Sequence, residues 1–307
     1  MWFHKLFSLT LIAILLLFNS CNKTVKKFDN RLANKYINRG FSSNKIEKNG
    51  HSIFYWDNKK ENSPVVVFIH GFGGDGKISW EKQAKDFNDD YRVIVPDLLW
   101  FGNSTSTKTP SLSMQIDAIS TLLKELSVQN ANLVGISYGG FISLGFAYKY
   151  PNRLNSVTIV DSPGSVITDE EIDSFCKSVG ADNTVDAFVP ENADEVKRLL
   201  NFSFHKPPKL PSFIREQTIG IYLSKYPKQQ SLLLKDLPQN RDSLTGEYDV
   251  PTLILWGKED KVFSIQNAKD LSSNLGAELT IFENAGHALP EEQHKAFNKR
   301  LKTFLND

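Results

Sequence analysis

The sequence predicts an α/β fold built on a buried parallel sheet, and three observations point to it. Val65 Val66 Val67 Phe68 Ile69 is a continuous apolar, β-branched run, as a strand covered on both faces requires, and it leads straight into His70 Gly71 Phe72 Gly73 Gly74. Ala131 to Val134 leads in the same way into Gly135 Ile136 Ser137 Tyr138 Gly139. Phe141, Ile142, Leu144 and Phe146 then carry a helical apolar pattern. Between the strand-like Ser156 to Val160 and the strand-like Pro251 to Trp256, residues 164–248 lose strand runs. They turn helical, as in Ala193 to Leu200, and Pro207, Pro208 and Pro211 break the helices into short pieces. A core of strands and helices with a helical cap inserted before the penultimate strand accounts for all three.

Each element then has a chemical reading. In the strand–turn–helix around Ser137, backbone presses on backbone, so glycine stands two residues before the serine and two after it, where a Cβ would clash. The hydroxyl is thereby held above the sheet edge as a candidate nucleophile. A serine hydroxyl needs a base, and the base needs a group to orient it. His287, in Gly286 His287 Ala288 after the strand-like Leu279 to Phe282, is the candidate base. Asp260, in the polar turn Gly257 Lys258 Glu259 Asp260 after the Pro251 run, is the candidate acid. Glu259 is expected to face solvent. Asp161, at the end of another strand, is the rival acid, and His205 in the cap is the rival base.

The glycine-rich loop after Ile69 frees backbone N–H groups to face a ligand. The N–H of Phe72 and that of Tyr138 form a candidate oxyanion hole. His70 is expected to bond this loop rather than to act as base, and Asp97 to bond the backbone of its own loop.

With His70 to Gly74, Pro96 Asp97 Leu98 Leu99 Trp100 Phe101 Gly102 Asn103 Ser104, Gly135 to Gly140, Trp256 to Asp260 and Gly286 His287, the chain resembles the α/β-hydrolase fold serine hydrolases. It is most similar to single-cap esterases and lipases of the monoacylglycerol lipase type and to plant and bacterial hydrolases with a PDLLxFGxS block. The resemblance implies a mostly parallel, doubly wound sheet, with Ser137 as nucleophile, Asp260 as acid and His287 as base. The chain order Ser, Asp, His is the one expected of that fold. Trp100 departs from the small or polar residue of many relatives and is expected to narrow or reshape the pocket.

Composition excludes several classes. The chain of 307 residues is 40% hydrophobic with a net charge of +1, and it carries no basic stripe or nucleic-acid motif. No phosphate-binding glycine loop of the GxxxxGKS type and no HExxH or CxxC spacing occurs, so neither cofactor nor metal is expected. His4 and Lys5 precede an apolar stretch from Leu6 to Phe18, too short to span a bilayer comfortably, and Cys21 follows it. This resembles a bacterial lipoprotein signal, although Phe18 and Asn19 depart from the usual residues. It implies an exported protein, anchored at the cell envelope through an acylated Cys21, with residues 21–50 as a solvated tether. Cys176, with Ile172 and Phe175 at helical spacing, is expected to be a buried hydrophobe.

The activity expected is hydrolysis of carboxylic esters, with a small ester or lipid as substrate. A carbon–carbon bond hydrolase would need polar groups for a substrate carboxylate, and an aminopeptidase acting on proline amides would need an acidic pocket for an amine. A weakly hydrolytic ligand receptor and a surface scaffold are the non-enzymatic alternatives.

Overall fold

The computed structural model describes residues 24–246 and 249–307. They form one nine-stranded sheet from β1 (Ser42–Lys48), β2 (His51–Asp57), β3 (Val65–Ile69), β4 (Arg92–Pro96), β5 (Thr105–Ser106), β6 (Ala131–Ile136), β7 (Leu154–Val160), β8 (Thr252–Gly257) and β9 (Glu278–Phe282). The order is β1-β2-β4-β3-β6-β7-β8-β9, with β5 paired to β2. Pairing is antiparallel for β1–β2, β2–β4 and β2–β5 and parallel from β4 through β9. This is the mostly parallel sheet expected, with the cap lying between β7 and the penultimate strand β8.

The helices are α1 (Thr24–Ile37), α2 (Glu81–Phe87), α3 (Leu112–Glu125), α4 (Tyr138–Lys149), α5 (Asp169–Val179), α6 (Thr184–Phe188), α7 (Ala193–Ser203), α8 (Ser212–Thr218), α9 (Pro227–Asn240), α10 (Ile265–Leu275) and α11 (His294–Asn306), besides short turns. Both sheet faces are covered, which is why β3 and β6 read as unbroken apolar runs. On one face α3 and α4 bury Ile119, Leu122, Phe141 and Phe146. On the other, Tyr36 of α1, Phe87 of α2 and Phe297 of α11 pack with Phe68, Trp80 and Val95. Helix α4 is apolar around nearly its whole circumference, with ten residues buried, because it sits between the sheet and α3.

Parallel strands in register end together, so their following loops gather at one edge. Ile69 pairs with Gly135, Ile136 with Val160, Val160 with Leu255 and Gly257 with Phe282. The loops that open at His70, Ser137, Asp161, Lys258 and Glu283 therefore share the carboxyl edge of the sheet, where open α/β sheets bind ligands.

The N-terminal region differs from the expectation of a solvated tether. From Thr24 onward the chain is helix and hairpin, because its lysines and asparagines lie outside while Val25, Leu32 and Tyr36 turn inward on one face of α1. Asn49 and Gly50, both at positive φ, make the tight turn between β1 and β2. Cys21 lies outside the described residues. Among those described, no helix is long and apolar enough to cross a membrane.

Helix α1 also ties the cap to the core. Val25 packs in the cap cluster with Phe202 and Tyr222, while Tyr36 packs under the sheet. Asp29 pairs with the buried Lys77 of the core and accepts the Tyr222 hydroxyl of the cap at 2.7 Å. Cys176 is buried in the cap cluster as a free thiol.

Candidate active site

Ser137 occupies the junction of β6 and α4 with φ 53° and ψ −120°. A non-glycine residue held there stores on the order of 1–3 kcal/mol of strain. The flanking glycines make it possible. A Cβ at Gly135 would stand 2.1 Å from Gly139 O, and one at Gly139 would stand 2.3 Å from Ile69 O. The Ser137 N–H is anchored to Val160 O at 2.9 Å, so β7 clamps the turn from the other side.

The structure brings Asp260 and His287 together: His287 Nδ1 lies 2.9 Å from Asp260 Oδ2, and the Asp260 side chain is wholly buried. The other oxygen, Oδ1, accepts the Val262 N–H at 2.7 Å and the Phe263 N–H at 3.2 Å. Those bonds hold the carboxylate in one orientation. A carboxylate only accepts, so Nδ1 carries the ring proton and Nε2 is left as the basic nitrogen. Phe263 meets the imidazole edge-on at 5.4 Å and also lines the cavity onto which Ser137 opens, which places the ring on the same side of the sheet edge as the serine. The ring bond that His287 makes is to Asp260, and none joins it to Ser137 Oγ. Such contacts often tighten only when substrate binds.

The rival acid is placed elsewhere. Asp161, at the end of β7, is fully buried and its Oδ1 accepts the Gly257 N–H at 2.7 Å. Burial, with the nearby Asp260 charge adding to it, raises its carboxyl well above the usual carboxylate range, and its bond runs to β8 rather than to the histidine. His205 meets the site through its backbone, its N–H donating to Glu292 Oε2 at 3.1 Å.

Glu259 corrects an expectation. Its Oε2 accepts the Ala285 N–H at 3.0 Å while its own N–H donates to Ala285 O at 2.9 Å. The acid turn and the histidine loop are laced together by this residue, because its carboxylate reaches across to the loop that follows the adjacent strand β9. Glu292 is a second link that no sequence motif announced. Its Oε2 accepts the Gly286 N–H at 2.8 Å, and its Oε1 accepts the Lys206 N–H at 3.0 Å. With the Ala288 N–H donating to Ser203 O at 2.9 Å, the end of α7 is bolted to the histidine loop.

On the opposite side stand the two candidate oxyanion donors. Tyr138 is the first residue of α4, so its N–H has no intrahelical acceptor. Among the described residues the Phe72 N–H likewise meets no backbone acceptor. His70 holds this loop as expected. Its Nε2 accepts the Leu98 N–H at 3.0 Å, so Nδ1 bears the proton and donates to Gly71 O at 2.7 Å. Burial pushes the ring pKa down to about 4, which keeps it neutral and its tautomer fixed. Asp97 receives the Gly76 N–H at 3.0 Å and the Asn103 N–H at 2.8 Å, and burial pushes its carboxyl up to about 8.

Ser137 opens onto a narrow cleft between core and cap, with about 60 Å³ of space open to water. Phe72, Phe141 and Phe263 from the core and Phe175, Phe188 and Leu234 from the cap line it. Trp100 is not on this wall. Its backbone takes a left-handed turn at φ 64° and the indole is buried in the core, so it does not reshape the pocket. Arg241 is on the wall, a cation that no motif announced.

Residues 64–293 match the family model described as the α/β hydrolase fold. Lipase 1 of Psychrobacter immobilis is 28% identical over 274 residues, covering 82% of this chain and 82% of the relative. Lipase 3 of Moraxella sp. (strain TA144) is 27% identical over 280 residues, covering 82% of this chain and 83% of the relative. Among solved structures, a bacterial membrane phospholipase A superposes with a TM-score of 0.78 at 22% identity, covering 98% of each chain. The chain belongs to the α/β-hydrolase fold family.

Proposed function

We propose that the protein is a serine hydrolase of carboxylic esters, acting through an acyl-enzyme on Ser137. The carrying observation is the Asp260–His287 bond of 2.9 Å at the same sheet edge as a serine on a strained elbow that opens onto an apolar cleft. In this reading His287 Nε2 takes the Ser137 proton as Oγ attacks the ester carbonyl, and the N–H groups of Phe72 and Tyr138 receive the oxyanion. His287 then protonates the leaving alcohol, and water activated by the same ring releases the acid. Asp260 holds the tautomer that leaves Nε2 free. The relatives named as lipases support an ester substrate, and the aromatic and aliphatic walls suit an acyl chain.

Steady-state kinetics on p-nitrophenyl esters and monoacylglycerols of increasing chain length test this reading. The expected result is turnover that falls by roughly 10⁴-fold or more in Ser137→Ala. Full activity in that variant would sink the reading. Carbon–carbon bond hydrolysis is the second reading, favoured by Arg241 on the cleft wall, a cation that could receive a substrate carboxylate.

We also propose membrane attachment through Cys21, on the strength of the apolar stretch Leu6 to Phe18 that precedes it. Acylation with two or more chains would give stable anchoring, since each buried CH₂ contributes about 0.8 kcal/mol. Metabolic labelling with a palmitate analogue should mark the wild type and not Cys21→Ala. Equal labelling of both would contradict the anchor.

A further inference from the structure

Arg241 lacks the hydrogen-bond partners that its burial demands. It is the first residue of the short turn Arg241–Ser243 that follows α9, and it is 9% exposed. Its Nη2 lies 2.9 Å from Asp169 Oδ1, and its Nε lies 3.5 Å from Asp242 Oδ1. Both acids are mostly in water, with 72% and 82% of their side chains exposed, so solvent screens much of their effect on the guanidinium. Nη1 and Nε are buried with no hydrogen bond. Buried guanidinium donors are ordinarily paired, and each one left unpaired carries a desolvation cost.

Arg241 as a residue belongs to the wall of the cleft, together with Ser137, Leu237 and Ile167. Another residue of the same wall also carries an unsatisfied group: the Tyr138 hydroxyl is buried without a partner, although the Tyr138 backbone is the candidate oxyanion donor. A cleft that served only alkyl chains would gain nothing from a cation on its wall whose acidic partners lie mostly in water, whereas a ligand anion there would strengthen the charge pairing and satisfy the open donors.

We infer that the substrate carries a carboxylate in addition to its scissile ester, and that Arg241 receives this carboxylate while Ser137 meets the ester carbonyl. The inference rests on the ester hydrolase reading and names its substrate class. The carboxylate can belong to the acyl half, as in a dicarboxylic acid hemiester, or to the alcohol half, and the two call for different probes.

The experiment compares kcat/KM for matched pairs. For the acyl half the pair is p-nitrophenyl hexanoate and mono-p-nitrophenyl adipate. For the alcohol half it is phenyl butanoate and 4-butanoyloxybenzoate. The expected result is a preference of roughly tenfold or more for the carboxylated member of at least one pair, as a matched charged contact gives. That preference should disappear in Arg241→Gln and partly persist in Arg241→Lys. The readout is a ratio within each variant, so a loss of folded enzyme cancels. Absence of a preference in both pairs, or a preference unchanged in Arg241→Gln, overturns the inference while leaving ester hydrolysis intact. If no ester of either pair is cleaved, the ester hydrolase reading itself has failed.

Discussion

At the scale of single residues, the site depends on which form each ionisable group takes. Asp260 is the group on the ring nitrogen of His287, and its two backbone bonds leave it no freedom to turn away. Asp260→Asn would put an amide where the carboxylate stood, allowing the ring to bond in the wrong tautomer. On the proposed mechanism kcat should fall by about 10⁴-fold with little change in KM, measured in steady-state ester hydrolysis. His70 provides a pH test of a different kind. The fold holds the neutral ring, with a pKa lowered to about 4, while the unfolded chain has the ordinary value near 6.5. Between these values the unfolded chain binds the extra proton. The contribution of His70 is therefore complete above pH 6.5 and is lost as pH falls towards 4, by on the order of 3 kcal/mol. Denaturant titrations of wild type and His70→Gln across that range isolate the effect: wild type should lose that much stability relative to the variant. A constant difference would contradict the buried neutral ring.

At the scale of elements, the parts of the sequence under the strongest steric constraint were the most legible. The elbow was readable because only glycine fits at 135 and 139, and β3 was readable because burial on both faces demands a continuous apolar run. Asp260 and His287 were readable as the polar residues on loops that follow two such runs. The β1–β2 hairpin was marked by Asn49–Gly50 before the apolar run Ile53 to Trp56, yet the surrounding lysines and asparagines made the region resemble a tether. Links between elements left no local trace. Glu259, Glu292 and Arg241 act across tens or scores of residues, and no short pattern encodes where a carboxylate or guanidinium will land. Two of these links can be tested. Glu292→Ala should loosen the histidine loop from the end of α7 and lower kcat/KM roughly tenfold to a hundredfold in ester assays, as small misplacements of a reacting group do. Asp29→Ala should strand the buried Lys77 and cost about 3 kcal/mol in denaturant unfolding, whereas Asp29→Ala with Lys77→Met should recover most of that loss.

At the scale of the whole molecule, the sheet collects its reactive loops at one edge and the cap closes over them, so one cleft receives side chains from both. Helix α1 reaches from the cap cluster to the underside of the sheet, and the Glu292 contacts fasten the cap near His287. Further bonds join cap and core elsewhere, among them the Leu112 N–H to Asp236 Oδ2 at 2.7 Å and Asn267 Nδ2 to Glu171 Oε1 at 2.8 Å. The claim on which the rest depends is that Ser137 becomes covalently acylated. Mass spectrometry of the protein after treatment with a fluorophosphonate measures this most directly. The account predicts a single adduct that maps to the peptide containing Ser137, is absent in Ser137→Ala and is strongly slowed in His287→Ala. An adduct on another serine, or equal labelling of Ser137→Ala, would contradict it.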